Sequence, residues 1–108
     1  MQRGEVWWVE FDPFIGSEIR KTRPAVIVSN DAANRNLPRV MAMPMSSNVA
    51  RVYPGEAVVT VAGQPSKAMA DQIMAADKRR LKSRLGKLDR TDMAAVEEAI
   101  RLHLGLKR

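Results

Sequence analysis

Hydrophobic and polar positions run in short alternating or clustered stretches along most of the chain, and take up a helical period only near its end. Residues 5–11 (Glu-Val-Trp-Trp-Val-Glu-Phe) mix alternation with aromatic side chains and predict a first strand, with Arg3-Gly4 as a loose lead-in. Asp12-Pro13 closes it, because proline brings no ladder donor. Residues 24–29 are almost wholly apolar, as expected of a short strand buried on both faces. Asn30-Asp31 predicts the cap of a helical turn through Ala32, Ala33, Asn34 and Arg35, ending before Pro38. Residues 39–45 predict a third strand in which the methionines are adaptable core filler. Ser46-Ser47-Asn48 breaks it. A loop with Pro54-Gly55 leads to a strand over 56–61, and the turn at 62–65 leads to a fifth over 66–74.

The tail changes period. Asp77 can cap a one-turn helix over 78–81, and Asp89 or Thr91 a longer one reaching Leu104, with Gly105 where a terminating glycine belongs. Met93, Val96, Ile100 and Leu104 form its apolar stripe, widened by Ala99 and Leu102. Glu97 and Arg101 lie outside the stripe at a spacing that allows an ion pair. Several short strands followed by one helix favour a small, strongly bent antiparallel sheet or barrel, mainly β with some α.

At 108 residues the chain is one domain's worth. It has no cysteine, hence no disulfide or thiolate metal site. No segment reads as a secretory signal or membrane span, so the expected compartment is the cytoplasm. Eighteen Lys/Arg against twelve Asp/Glu give a net charge of +6. Such a balance suits a polyanionic partner, nucleic acid above all, or simply solubility. Lys78, Arg79, Arg80, Lys82, Arg84, Lys87 and Arg90 crowd one segment, which reads first as a solvated face.

The candidate chemistry centres on residues 16–24. This polar loop carries Arg20, Lys21 and Arg23 into an apolar strand, and the Arg23-Pro24 junction pins the last cation where loop meets sheet. The only histidine, His103, stands near the end of the tail helix, at a surface or interface position. One His and no Cys leave no plausible zinc site and no favoured triad, and there is no Walker-type or dinucleotide loop. Arginines, hydroxyls and carboxylates remain. That set suits phosphodiester transesterification, in which RNA supplies its own 2′-hydroxyl nucleophile. A fixed guanidinium meets the charge growing on the non-bridging oxygens, and Ser46 or Ser47 adds a neutral donor. Against this stand plainer readings: Arg23 pairing with Glu18 across the loop, and Ser46-Ser47-Asn48 as turn chemistry. The proton acceptor stays open.

The ordered set Arg3-Gly4-Glu5-Val6-Trp7, Phe11-Asp12-Pro13, Gly16-Ser17-Glu18, Thr22-Arg23-Pro24-Ala25-Val26-Ile27-Val28-Ser29-Asn30, Pro44-Met45-Ser46-Ser47, Ala70-Asp71-Gln72-Ile73, Asp77-Lys78-Arg79-Arg80-Leu81 and Leu104-Gly105-Leu106 resembles the MazF/PemK family of toxin endoribonucleases. The resemblance spans nearly the whole chain. It implies an SH3-like small barrel of the CcdB/PemK kind, with about five to seven short strands and a C-terminal helix, working as a homodimer. It implies sequence-specific cleavage of single-stranded RNA without metal or cofactor, leaving 2′,3′-cyclic phosphate and 5′-hydroxyl ends. It also implies a MazE-like antitoxin whose extended acidic tail blocks the RNA groove. Carried over by motif, the catalytic residues are Arg23, Ser46 and Glu18. RNA-binding positions are Arg20, Lys21, Thr22, Ser47, Asn48, Asp71 and Gln72, and no metal ligand is implied. Many members have Lys or Arg two residues after the glutamine, where Met74 stands here, so a phosphate contact at that place is not carried over. The same fold also serves non-catalytic toxins that inhibit DNA gyrase through C-terminal helix residues; Ile100, His103 and Leu106 would then matter and Arg23 would not.

Overall fold

The computed structural model describes residues 1–11 and 21–107, with only the backbone of Lys21. The elements are β1 (Glu5–Phe11), β2 (Lys21–Ile27), α1 (Asp31–Asn36), β3 (Arg39–Ser46), β4 (Glu56–Val61), β5 (Gln64–Met69), a 3-10 turn (Ala70–Gln72), β6 (Met74–Asp77), a second 3-10 turn (Lys78–Arg80), β7 (Leu81–Lys87) and α2 (Arg90–Leu104). The antiparallel sheet runs β4-β5-β3-β2-β1-β7, with β6 also paired to β3. The expected small barrel-like sheet with a C-terminal helix is therefore the fold observed.

Strand alternation divides the apolar residues into two cores. Val6, Val26, Met43, Met45, Ala57, Val59 and Ala68 face α2, which contributes Met93, Val96 and Ala99. Val9, Ala25, Ile27, Val40, Ala42, Ala76 and Leu81 fill the opposite face, with Trp7 and Phe11 against them. Burying each larger aliphatic side chain contributes about 1.5–3 kcal/mol. Only the first core is roofed by the helix. The second lies on the face shared by the functional candidates of β2 and β3.

Local signals explain the helix ends. The Asn30 side chain accepts from the Ala33 N–H, and that of Asp89 from the Asp92 N–H. Gly105 closes α2 at φ 67°, a left-handed conformation that costs glycine little.

Several expectations need correction. Residues 66–74 are not one strand: the chain leaves β5 at Met69, turns through Ala70–Gln72 and re-enters as β6 along another part of β3. The basic run holds an unexpected strand, β7, paired with β1. Its cationic outer row suits an edge, where charge discourages pairing with another chain. The α2 stripe is shorter than its sequence suggests, since Leu102 and Leu104 are exposed. Glu97 pairs not with Arg101 but with Arg3, 2.9 Å away, while Arg101 stands 3.8 Å from Glu98.

Arg3-Gly4 is likewise no loose lead-in. The Arg3 N–H donates to Asp31 Oδ1 at 2.7 Å and its Nε to the Val28 carbonyl at 3.2 Å. The Gly4 N–H donates to the Ile27 carbonyl, and Leu88 donates back to Gly4. Beside it, burial raises the Glu5 carboxyl, but donors from Gln2 and Trp7, the terminal ammonium and Arg84 outweigh that and leave it below its ordinary value. The N-terminus thus ties the sheet to α1 and α2.

Candidate active site

Proline chemistry opens the site. The β2–β3 ladder pairs Ile27 with Ala42, Val26 with Met43 and Ala25 with Pro44, and goes no further. Neither Pro24 nor Pro44 can donate to a ladder, so the strands lose their bonding where the two prolines meet. Pro24 still pairs with Trp8 on the β1 side, which is why β2 begins at Lys21 rather than at Pro24 as expected.

Continuing the β2–β3 register past its last bonded pair sets Arg23 across from Ser46. The faces agree. Arg23 is the direct partner of Val9 and lies two residues from Ala25, both in the core away from α2. Ser46 continues the side of Val40 and Ala42. On the far side of Ser46, β5 places Lys67 directly opposite, and β4 places Val58 opposite Lys67. One row on one face therefore reads Val9, Arg23, Ser46, Lys67, Val58. Arg23 and Ser46 are both half-buried. Among the described residues, none pairs with the Arg23 guanidinium by hydrogen bond or salt bridge.

The Ser46 Oγ accepts the Asn48 N–H at 3.2 Å, and the Asn48 Oδ1 accepts the Ala50 N–H at 3.2 Å. The turn reading of Ser46-Ser47-Asn48 is thus correct as geometry. It does not compete with a chemical role, because a hydroxyl that accepts one bond still has its own proton to donate.

The remaining candidates spread around this row. Thr22 alternates to the other face and is exposed; Ser47, Asn48 and Asp71 are also exposed. Gln72 comes closer: its Nε2 donates to the Met69 Sδ at 3.6 Å, and Met69 lies on the Lys67 side of β5. Met74 is the cross-strand partner of Ala42, so its partly exposed side chain puts an apolar surface on the same face. Glu18, Arg20 and the Lys21 side chain lie outside the described residues.

Residues not singled out in the sequence complete the surroundings. The Lys67 Nζ lies 3.2 Å from Glu56 Oε1 and donates to the Arg51 carbonyl at 2.8 Å. It also stands 5.8 Å from the centre of the Tyr53 ring. The available signal was a lone lysine in the apolar end of β5, visible only once that strand's register with Ser46 was known. His103 is remote in kind: exposed on α2, its side chain packs against Gly55, where an added Cβ would come within 3.4 Å.

Part of the basic segment is paired with carboxylates. Arg79 forks onto Asp77 at 3.0 and 3.1 Å, and Lys82 stands 3.8 Å from Glu10. Hydrogen bonds from Arg79 hold the Asp77 carboxyl down to about 2. Glu10, Asp77, Arg79, Arg80 and Lys82 line an open concavity of about 350 Å³. The solvated-face reading fits this segment.

Residues 2–104 match the family model described as the PemK-like, MazF-like toxin of type II toxin-antitoxin systems. The chain belongs to this family. It is 40% identical to the endoribonuclease MazF9 of Mycobacterium tuberculosis, with 98% of each chain covered. Against the endoribonuclease MazF of Staphylococcus saprophyticus it is 32% identical over 98% of this chain and 92% of the other. Among solved structures, a mycobacterial endoribonuclease in complex with its cognate antitoxin superposes with a TM-score of 0.83 at 25% identity, covering 100% of this chain and 98% of that one. A crystal structure of MazF from Deinococcus radiodurans gives 0.81 at 28% identity, covering 98% and 97%. Among the described residues, no helix is long and apolar enough to cross a membrane.

Proposed function

We propose that this toxin is a sequence-specific endoribonuclease that cleaves single-stranded RNA by 2′-hydroxyl transesterification, without a metal. What carries the reading is the row in which an arginine free of ion pairs among the described residues and a strand-end hydroxyl share one open face. The names of the endoribonuclease relatives support it.

In the reaction the 2′-hydroxyl gives up its proton as its oxygen bonds to the adjacent phosphorus, and the bond from phosphorus to the 5′-oxygen breaks as that oxygen takes up a proton from solvent. The products are a 2′,3′-cyclic phosphate and a 5′-hydroxyl. The Arg23 guanidinium donates two parallel hydrogen bonds to the non-bridging oxygens as their charge grows, a contact worth more in the transition state than in the ground state. The Ser46 hydroxyl adds a neutral donor while the Asn48 N–H holds its oxygen. Glu18 is the candidate carboxylate for orienting substrate or accepting the 2′ proton. Asp71, Gln72, Thr22, Ser47, Asn48, Arg20 and Lys21 are the proposed RNA contacts around this pair.

The proposed working unit is a homodimer in the cytoplasm. Its proposed regulator is a cognate antitoxin whose extended acidic tail competes with RNA for the same cations. The complexes solved for relatives with their antitoxins support that partner.

The test is incubation of the purified protein with a long RNA in EDTA, followed by chemical analysis of fragment ends. Discrete fragments with cyclic phosphate and 5′-hydroxyl ends are expected. Intact RNA together with inhibited gyrase supercoiling would instead assign the chain to the non-catalytic toxins of this fold.

A further inference from the structure

The connection between β3 and β4 leaves an aromatic ring open to solvent beside the proposed site. Tyr53 is 53% exposed, yet it is anchored at three points. Its backbone N–H donates to Glu56 Oε1 at 2.8 Å, its hydroxyl accepts from Arg51 Nη1 at 3.3 Å, and the Lys67 ammonium stands over the ring. The side chains of the Lys67–Glu56 pair are only 12% and 10% exposed, so this anchor is sheltered rather than a loose surface contact. Lys67 in turn is the direct cross-strand partner of Ser46. The ring and the site hydroxyl thus share one support, Lys67. Val58, opposite Lys67 on the same face, and Val52, which precedes Tyr53 in the chain, are both exposed apolar residues.

A latch that merely held this connection closed would need the ion pair and the backbone bonds, but not an open ring. A ring with a cation over one face and its position already fixed is preorganised to stack on a flat partner with little further loss of freedom. Unstacked bases of single-stranded RNA are read in this way, on aromatic faces.

Resting on the endoribonuclease reading, we propose that Tyr53, braced by Lys67 and Arg51, stacks on a base flanking the cleaved bond and helps determine which RNA sequence is cut. The test uses short fluorogenic oligoribonucleotides carrying the mapped cleavage site, with each flanking base replaced in turn by an abasic residue. Wild type, Tyr53→Phe and Tyr53→Ala are compared in kcat, KM and thermal midpoint.

Tyr53→Ala is expected to raise KM roughly 5-fold to 150-fold, from the usual worth of one base–aromatic stack, with kcat little changed. One abasic replacement that penalises the wild type should cost Tyr53→Ala nothing further, and Tyr53→Phe, which keeps the ring but loses the Arg51 bond, should stay within a few-fold of the wild-type KM and keep its abasic penalty. Stacking neutralises no phosphate, so the salt dependence of kcat/KM should keep its slope in Tyr53→Ala. Wild-type KM in Tyr53→Ala, with the same abasic penalties at every position, overturns this inference alone, even if the variant binds an acidic peptide less well. A wild-type protein inert on every RNA overturns the endoribonuclease reading, and this inference with it.

Discussion

Replacing Ser46 by alanine separates two roles that share one oxygen. As an acceptor, the hydroxyl takes the Asn48 N–H at 3.2 Å in an exposed turn. Losing such a bond costs about 0.5–1 kcal/mol of stability, since water replaces the partner. As a donor to a phosphoryl oxygen, the same hydroxyl is expected to supply about 3 kcal/mol of transition-state stabilisation, a factor of roughly 100–1,000 in rate. The two effects fall on different measurements. Thermal unfolding of Ser46→Ala should shift down by only a few degrees, while its single-turnover cleavage rate falls by two to three orders of magnitude. Ser46→Thr keeps the hydroxyl and should retain most of both. If folded Ser46→Ala cleaves at the wild-type rate, the hydroxyl is only a turn acceptor and its catalytic assignment is wrong.

Val96 is fully buried between α2 and the sheet. Val96→Ala removes two methyl groups and leaves a cavity, so it should cost about 2–3 kcal/mol and lower Tm by about 10 °C in calorimetry; an unchanged Tm would mean that the helix does not seal this core. Acid should release the second 3-10 turn. The Asp77 carboxyl is held down from 3.8 to about 2, so its contribution to stability is full above its unfolded value and is lost as pH falls through that window. The difference in Tm between wild type and Asp77→Asn should therefore shrink between pH 3.8 and about 2, and a constant difference would contradict the Arg79 attribution.

The parts of the fold that could be read in advance are those where one physical signal acts alone. The patterns in residues 5–11 and 56–61 match β1 and β4 end to end: β4 alternates with one face on a core, and β1 sends Val6 to one core and Val9, with Trp7 and Phe11, to the other. Asp89 and Gly105 bracket α2 since capping is local chemistry. Other elements answer to tertiary demands. β7 carries Lys82, Arg84 and Lys87, which patterning treats as a solvated segment, but an edge strand tolerates such charge. The break at Ala70–Gln72 follows from β3 pairing with β5 along its end and with β6 along its start, a division that local propensity does not show. The site divides in the same way. Arg23 and Ser46 were recognisable from their motifs and from the chemistry the sequence leaves available. Lys67 and Tyr53 were not, since their importance arises only when register sets Lys67 against Ser46.

The proposed role of Arg23 is at the phosphate rather than in the fold. Among the described residues its guanidinium has no ion pair to lose, so Arg23→Ala should unfold at the wild-type temperature. Its single-turnover cleavage of RNA in EDTA should fall by about 100-fold to 1,000-fold, the loss expected when one contact to developing charge is removed. Cleavage by folded Arg23→Ala at the wild-type rate, with the same cyclic phosphate ends, would contradict the account.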